Sequence, residues 1–156
     1  MRRAAETNAM NEQQSRTLEV LNRLYAAERR SLLPRLAETG AFVSWASTGD
    51  MALVKKMIAQ EDEHLAWLAE AAEKCGGALY PASPDVHTGH LHYLDLHAIM
   101  PLVVRSIEEL VRVYKEAGEQ PLTLDAADAL FRILARHTQH LEQLRQLHDR
   151  AAATKA

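Results

Sequence analysis

Apolar residues recur at steps of three and four along most of this chain, and the runs in which they do so predict four helices. The first run opens at Glu12 and carries Leu18, Leu21, Leu24, Tyr25, Leu32 and Leu36, the one-sided spacing of an amphipathic helix. Pro34 falls inside it and predicts a kink or a local opening of the hydrogen-bond ladder, with Gly40 as the stop. Ala41 to Ser47 reads as a last helical piece or a packed connection. Thr48-Gly49-Asp50 offers a turn and a capping residue for the second run, which carries Met51, Leu53, Val54, Met57, Ile58, Leu65, Leu68 and Ala72. That run stops at Cys75-Gly76-Gly77. A third extends from about Leu94 to Ala117 with Ile99, Val103, Val104, Ile107, Leu110, Val111 and Tyr114 on its stripe, and Pro101 in its first turns. Thr123 is placed to cap a fourth, with Leu124, Ala127, Leu130, Phe131, Leu134, Leu141, Leu144 and Leu147.

Residues 78 to 93 break the pattern, holding two prolines and a glycine with no sustained period. Extended at ~3.3 Å per residue, such a link could travel the length of a helix of about 25 residues. The expected fold is therefore all-α: a four-helix bundle with one long crossover between helices 2 and 3. Residues 12–150 form its single domain, between a flexible polar arm at 1–11 and a tail at 151–156.

Composition narrows the functional classes. The formal net charge of −3 gives no electrostatic reason to expect a nucleic-acid partner or a membrane surface. No stretch approaches the ~20 apolar residues of a membrane span, and no apolar region follows the basic Met1-Arg2-Arg3 as a signal peptide requires. The single cysteine, Cys75, excludes an intrachain disulfide framework and suits a reducing compartment. These features together predict a cytoplasmic protein. No strand pair, glycine-rich phosphate loop or cysteine–histidine finger spacing is visible.

What remains is the set of polar residues lying on apolar stripes. Glu61 and His64 stand three apart, one turn above the other on one helix face, beside Met57, Ile58, Leu65 and Leu68. Glu28 lies on the first stripe, a turn beyond Leu24. A carboxylate or imidazole turned into an apolar seam is costly unless something compensates it, and a metal ion is one compensation. The separation of Glu28 from Glu61 brings the two level on antiparallel helices if their link is centred near residue 44 or 45.

In the order of its parts and in Leu24-Tyr-Ala-Ala-Glu28-Arg-Arg-Ser31 and Glu61-x-x-His64, the chain resembles the ferritin-like superfamily, bacterioferritins and rubrerythrins especially. The resemblance implies a di-iron carboxylate centre inside the bundle, with Glu28 as a terminal carboxylate ligand, Glu61 as the bridging one and His64 as the nitrogen ligand. In its second half the family repeats Glu-x-x-His, where this chain has His137-Thr-Gln-His140. His140 matches the family's histidine, and His137 stands in place of the bridging carboxylate. Glu108 is the expected third-helix ligand, about one turn from ideal height, with Glu109 and Asp95 as rivals. Iron is the implied metal, with zinc or manganese as alternatives. The implied activity is ferroxidase, iron-handling or peroxide-protection chemistry with dioxygen or peroxide, in a homo-oligomer, a dimer or larger. The altered second half leaves open a mononuclear site, a different metal, or a degenerate bundle acting as a structural or interaction module. The histidine-triad bundles of the DinB-like family offer a further resemblance, from which the fourth-helix histidine spacing departs.

Each residue also has a plain structural reading. Glu28 could pair with the neighbouring arginines, Glu61 with His64, and Trp67 and Tyr25 could serve as core. His87, His90, His92 and His97, with Asp95, form a separate group at the link and the start of helix 3. They read either as a surface metal site or as solvated histidines that protonate below about pH 6.5.

Overall fold

A computed structural model of the chain describes residues 1–37, 48–82 and 96–155. Among these residues it is wholly helical: α1 (Arg2–Arg30), a 3₁₀ turn (Leu33–Ala37), α2 (Thr48–Lys74), α3 (Leu96–Gly118) and α4 (Leu124–Lys155). No described helix is long and apolar enough to cross a membrane.

The helices bury a seam spaced by alternating threes and fours. On α1 it runs Thr17, Leu21, Leu24, Glu28, and on α2 Val54, Met57, Glu61, His64, Leu68, Ala71, continuing to Cys75 just past its end. On α3 it runs Met100, Val103, Ile107, Leu110, Tyr114, Ala117, and on α4 Ala126, Leu130, Ile133, His137, His140, Leu144, Leu147. That is the period with which bundle helices pack side by side. Its consequence for function is direct: Glu28, Glu61, His64, His137 and His140 occupy seam positions that apolar residues such as Leu24, Met57, Leu68, Ile133 and Leu144 hold beside them.

Contacts between helices fix their directions. α2 lies along α4, with Lys74 3.4 Å from Asp125 at one end and Arg150 3.1 Å from Asp50 at the other, so the two are antiparallel. α3 also runs antiparallel to α4, joined to it by a short turn and by Arg145 donating to Glu108 at 2.7 Å. Hence α2 and α3 point the same way. α1 packs against α2 and α3, and its middle lies beside the residue that precedes α4, where the Thr123 N–H donates to Thr17 Oγ1 at 3.2 Å. The described part of the link between α2 and α3 ends at Ala82; the expected crossover beyond it lies outside the described residues, as do Asp95 and the side chains of His87, His90, His92 and His97.

Three boundaries differ from the sequence-based expectation. α1 begins at Arg2, ten residues before the apolar period, and Arg2 to Asn11 are solvent-exposed. The backbone ladder continues there through good helix formers such as Ala, Arg, Glu and Met without any buried face. α4 likewise continues through the expected tail to Lys155. At Pro34 the chain does more than kink. α1 ends at Arg30, four residues earlier, where a proline ring meets the carbonyl it would crowd, and Leu33–Ala37 tightens into a 3₁₀ turn. The end of α2 follows its glycines. Gly76 takes φ 77°, and its neighbour Gly77 donates to Ala72 O at 3.1 Å, a Schellman closure. Cys75, buried just before it, lies 3.3 Å from Thr123 Oγ1 and joins the end of α2 to the start of α4.

Candidate metal centre

Glu28 from α1, Glu61 and His64 from α2, and His137 from α4 converge at mid-bundle. One ligand-capable atom from each lies within 4.8 Å of every other, and all four residues are buried. The seam places them: the three-residue step from Glu61 to His64 puts both on the inward face of α2, and Glu28 reaches the same height from the neighbouring helix. A buried cluster of two carboxylates and two imidazoles is a donor set that can hold a metal ion.

Some of its polar atoms are partnered within the protein. Glu28 Oε1 accepts from the Tyr114 hydroxyl at 2.7 Å and from His137 Nε2 at 2.7 Å. Glu61 Oε1 accepts from His140 Nδ1 at 2.7 Å. Four others are not. Glu61 Oε2, both ring nitrogens of His64 and Nδ1 of His137 are buried with no hydrogen-bond partner among the described residues. His137 Nδ1 stands 3.2 Å from Glu61 Oε1 in an orientation that makes no hydrogen bond. His64 Nδ1 is 3.5 Å from Glu61 Oε2 and 3.7 Å from Glu28 Oε1, too far for one. An orphaned buried polar atom costs about 1–3 kcal/mol. Such atoms on three neighbouring residues need an explanation, and a cation taking one lone pair from each of Glu61, His64 and His137 supplies part of it.

Electrostatics in the metal-free protein run through protons instead. Burial pushes the Glu28 carboxyl up, but the charge and hydrogen bond of His137, with His64, more than offset it, leaving it below its ordinary value. Glu61 is likewise raised by burial and drawn well below the ordinary value by His137, His140 and His64. Burial depresses both imidazoles, yet the two carboxylates outweigh it, raising His64 and lifting His137 to about 10. Burial first, then the Glu28 charge beside it, holds the Tyr114 phenol well above its usual range. The shifts run in the direction of paired opposite charges, carboxylates lowered and imidazoles raised, the pairing a divalent ion could replace.

Two expected residues stand elsewhere. Glu108 lies on the surface of α3, half-exposed and bonded to Arg145, and Glu109 is exposed and pairs with Arg112. α3 reaches the centre with Tyr114 instead, three residues nearer the turn than the Val111 that shares Glu108's stripe. Side chains lean towards the N-terminus of their own helix, so on antiparallel α3 and α4 Tyr114 and His137 lean towards each other. Their rings come within 5.3 Å. Counting backbone heights alone misses this reach. His140 arrives as a partner of Glu61 and not as one of the four convergent donors; its other nitrogen lies 2.9 Å from the side-chain amide of Gln60. Gln60 has no signal in the sequence, because it lies off the apolar stripe. Tyr114 has one: a tyrosine on an inward stripe needs a partner for its hydroxyl.

The wall outside His64 is aromatic. The Trp67 ring lies 5.6 Å from the His64 ring, and the guanidiniums of Arg132 and Arg136 stand 4.1 and 4.7 Å from the indole. Arg136 also pairs with Glu63, tying α4 to α2 beside the site. Tyr25 packs partly buried against the core. Compared with known proteins, the chain matches no family model, no curated sequence and no solved structure.

Proposed function

We propose that this protein binds a transition-metal ion, iron first among the candidates, between Glu28, Glu61, His64 and His137, in a bundle of ferritin-like order. The observation that carries the proposal is the convergence of one ligand-capable atom from each of four buried residues, Glu28, Glu61, His64 and His137, three of which also hold buried polar atoms with no hydrogen-bond partner among the described residues. Mixed carboxylate and imidazole donors suit Fe(II), Mn(II) or Zn(II) better than soft or purely oxygen-seeking ions. The parallel run of α2 and α3, consecutive in the chain, supports the ferritin-like order of helices. A bound iron ion would supply one-electron chemistry with dioxygen or peroxide, the basis of a ferroxidase, iron-handling or peroxide-protection role.

The chain's own part is to hold and balance charge. Glu28 and Glu61 bring two negative charges, which neutralise a divalent ion. Tyr114 and His140 fix the orientation of those carboxylates, as outer partners of metal ligands do. His137 must surrender its proton for a nitrogen lone pair to face the metal, so binding releases protons. Apolar residues above and below (Leu24, Met57, Leu68, Ile133 and Leu144) flank the centre along the seam. Among the described residues one set of four donors converges, which favours a single ion over a pair.

Metal analysis after Fe(II) loading in air tests the reading. About one equivalent of iron is expected, and its loss in a Glu61→Ala, His64→Ala double variant. No iron in the parent protein and no response to the double substitution would remove it. The second reading, a metal-free polar layer in a structural module, is favoured by the hydrogen bonds from Tyr114 and His137 to Glu28 and from His140 to Glu61. Thermal melting separates the two. A metal-binding native state melts higher with added metal and lower with chelator, whereas the metal-free layer responds to neither.

A further inference from the structure

Glu28 and Glu61 close the inner end of a cavity of about 190 Å³ between the end of α1 and the middle of α2. Its walls grade outward from these buried residues through half-buried Pro34, Arg35 and Leu65 to exposed Asp62. The local chain explains the opening. Pro34 ends α1 at Arg30, less than a turn beyond Glu28, and the chain leaves the helix axis at Ser31 with ψ 141°. No further turn of α1 then covers this flank of α2. Other flanks of the donors are covered. Tyr114, 1% exposed, stands on the α3 side, and the Trp67 ring with Arg132 and Arg136 stands outside His64. Cavities lined by Arg23 and Glu116, by Arg30 and Glu109, and by Glu19 and Arg23 touch no donor of the centre.

We propose that this cavity is the passage by which the metal ion enters and leaves the centre, with Asp62 and Arg35 setting the rate, an inference that rests on the metal reading above. Size suits a hydrated ion. Six waters at about 30 Å³ each fill roughly 180 Å³, so a divalent cation can stand in the space with its shell. It then exchanges waters for carboxylate oxygens at the inner wall. Charge sets the pace. Outside the two ligand carboxylates the walls carry one carboxylate, Asp62, and two guanidiniums, Arg29 and Arg35, a sum of +1 that retards a cation in transit in either direction. Asp62 at the mouth lowers that barrier and Arg35 raises it. A group that acts on the passage changes entry and exit by the same factor, whereas a ligand changes their ratio.

The test uses full-length protein and Co²⁺, whose visible absorption reports its coordination. Stopped-flow mixing gives the uptake rate, and transfer into excess EDTA gives the release rate. Asp62→Asn should slow both roughly threefold or more, and Arg35→Gln should speed both by a similar factor, with their ratio kept within about twofold in each variant. Both effects should shrink at roughly 1 M salt, where the screening length falls to about 3 Å. Leu65→Trp, which narrows the passage without altering charge, should slow uptake and release together. Arg132→Gln, on the Trp67 side, should alter neither. Cobalt capacity equal to that of the parent shows that the variants fold. Cobalt bound by the parent at rates indifferent to the Asp62, Arg35 and Leu65 substitutions overturns this inference and leaves the metal centre standing. A change in one rate alone makes the substituted residue a ligand and overturns it as well, as does acceleration by Arg132→Gln only. Absence of cobalt uptake by the parent protein overturns both.

Discussion

Replacing Tyr114 by phenylalanine isolates one interaction of the centre. The substitution removes only the hydroxyl and leaves the ring, which is 1% exposed and lies 5.3 Å from the His137 ring. What is lost is a 2.7 Å hydrogen bond onto the buried Glu28 carboxylate. Hydrogen bonds to charged groups contribute about 1.5–3 kcal/mol net. Glu28 keeps His137 as its other donor, so the carboxylate is weakened in its support and not abandoned, and a loss of about 2 kcal/mol is expected. For a chain of this length each kcal/mol shifts the melting temperature by roughly 2–4 °C, giving a drop of about 4–8 °C in the metal-free protein. A double-mutant cycle locates the energy. In a Glu28→Gln background the charge is gone, and Tyr114→Phe should then cost about 1 kcal/mol less. In the metal-loaded protein, loss of a group that orients a ligand predicts roughly 10- to 100-fold weaker metal binding. A variant that melts within a degree of the parent, or that costs the same in both backgrounds, would refute the assignment of Tyr114 as the partner of Glu28.

Three further outcomes are expected. In the metal-free protein the raised His64 and His137 contribute stability that is complete below their unfolded value near pH 6.5 and fades as pH rises through about 10 for His137. The lowered Glu28 and Glu61 contribute stability that is complete above about pH 4.5 and fades below it. Urea unfolding should therefore find a maximum between about pH 4.5 and 6.5, with a decline on the order of 4 kcal/mol by pH 10, while metal affinity rises over the same alkaline range; a flat profile from pH 6.5 to 10 would contradict the buried ion pairs. Glu108→Gln breaks only an exposed pair with Arg145, so stability should change by less than about 1 kcal/mol and metal affinity, by chelator competition, not at all. Gly76→Ala forces a side chain into the left-handed region and should lower unfolding stability by about 1–2 kcal/mol, the penalty an L residue carries there.

Much of this architecture was legible because a bundle repeats one simple rule. Apolar steps of three and four located all four helices, and the same steps placed Glu28, Glu61 and His64 in the seam and at one height. Position His137 was legible as an inward residue, though the sequence could not say that it would donate to Glu28. Failures arose where reach and local termination mattered more than periodicity. Glu108 was chosen for its charge and its stripe, but it lies half-exposed at that stripe's edge, where Arg145 from α4 meets it. Tyr114 was visible as an apolar position only, because nothing in a one-dimensional pattern says which carboxylate its hydroxyl will meet. Gln60 acquires meaning only once α4 brings His140 against it. The start of α1 escaped notice for a different reason: a helix built on backbone bonding alone leaves no amphipathic mark.

Trp67 adds a practical consequence. Indole emission is quenched by a protonated imidazole nearby and by a paramagnetic ion, and this indole sits one ring away from His64. Two arginines from α4 stack over it. With Trp45 as the only other tryptophan in the chain, a Trp45→Phe protein would glow from a single fluorophore at the centre's edge. Its brightness should follow the charge on the neighbouring imidazole, so loading and unloading could be watched in solution without a label.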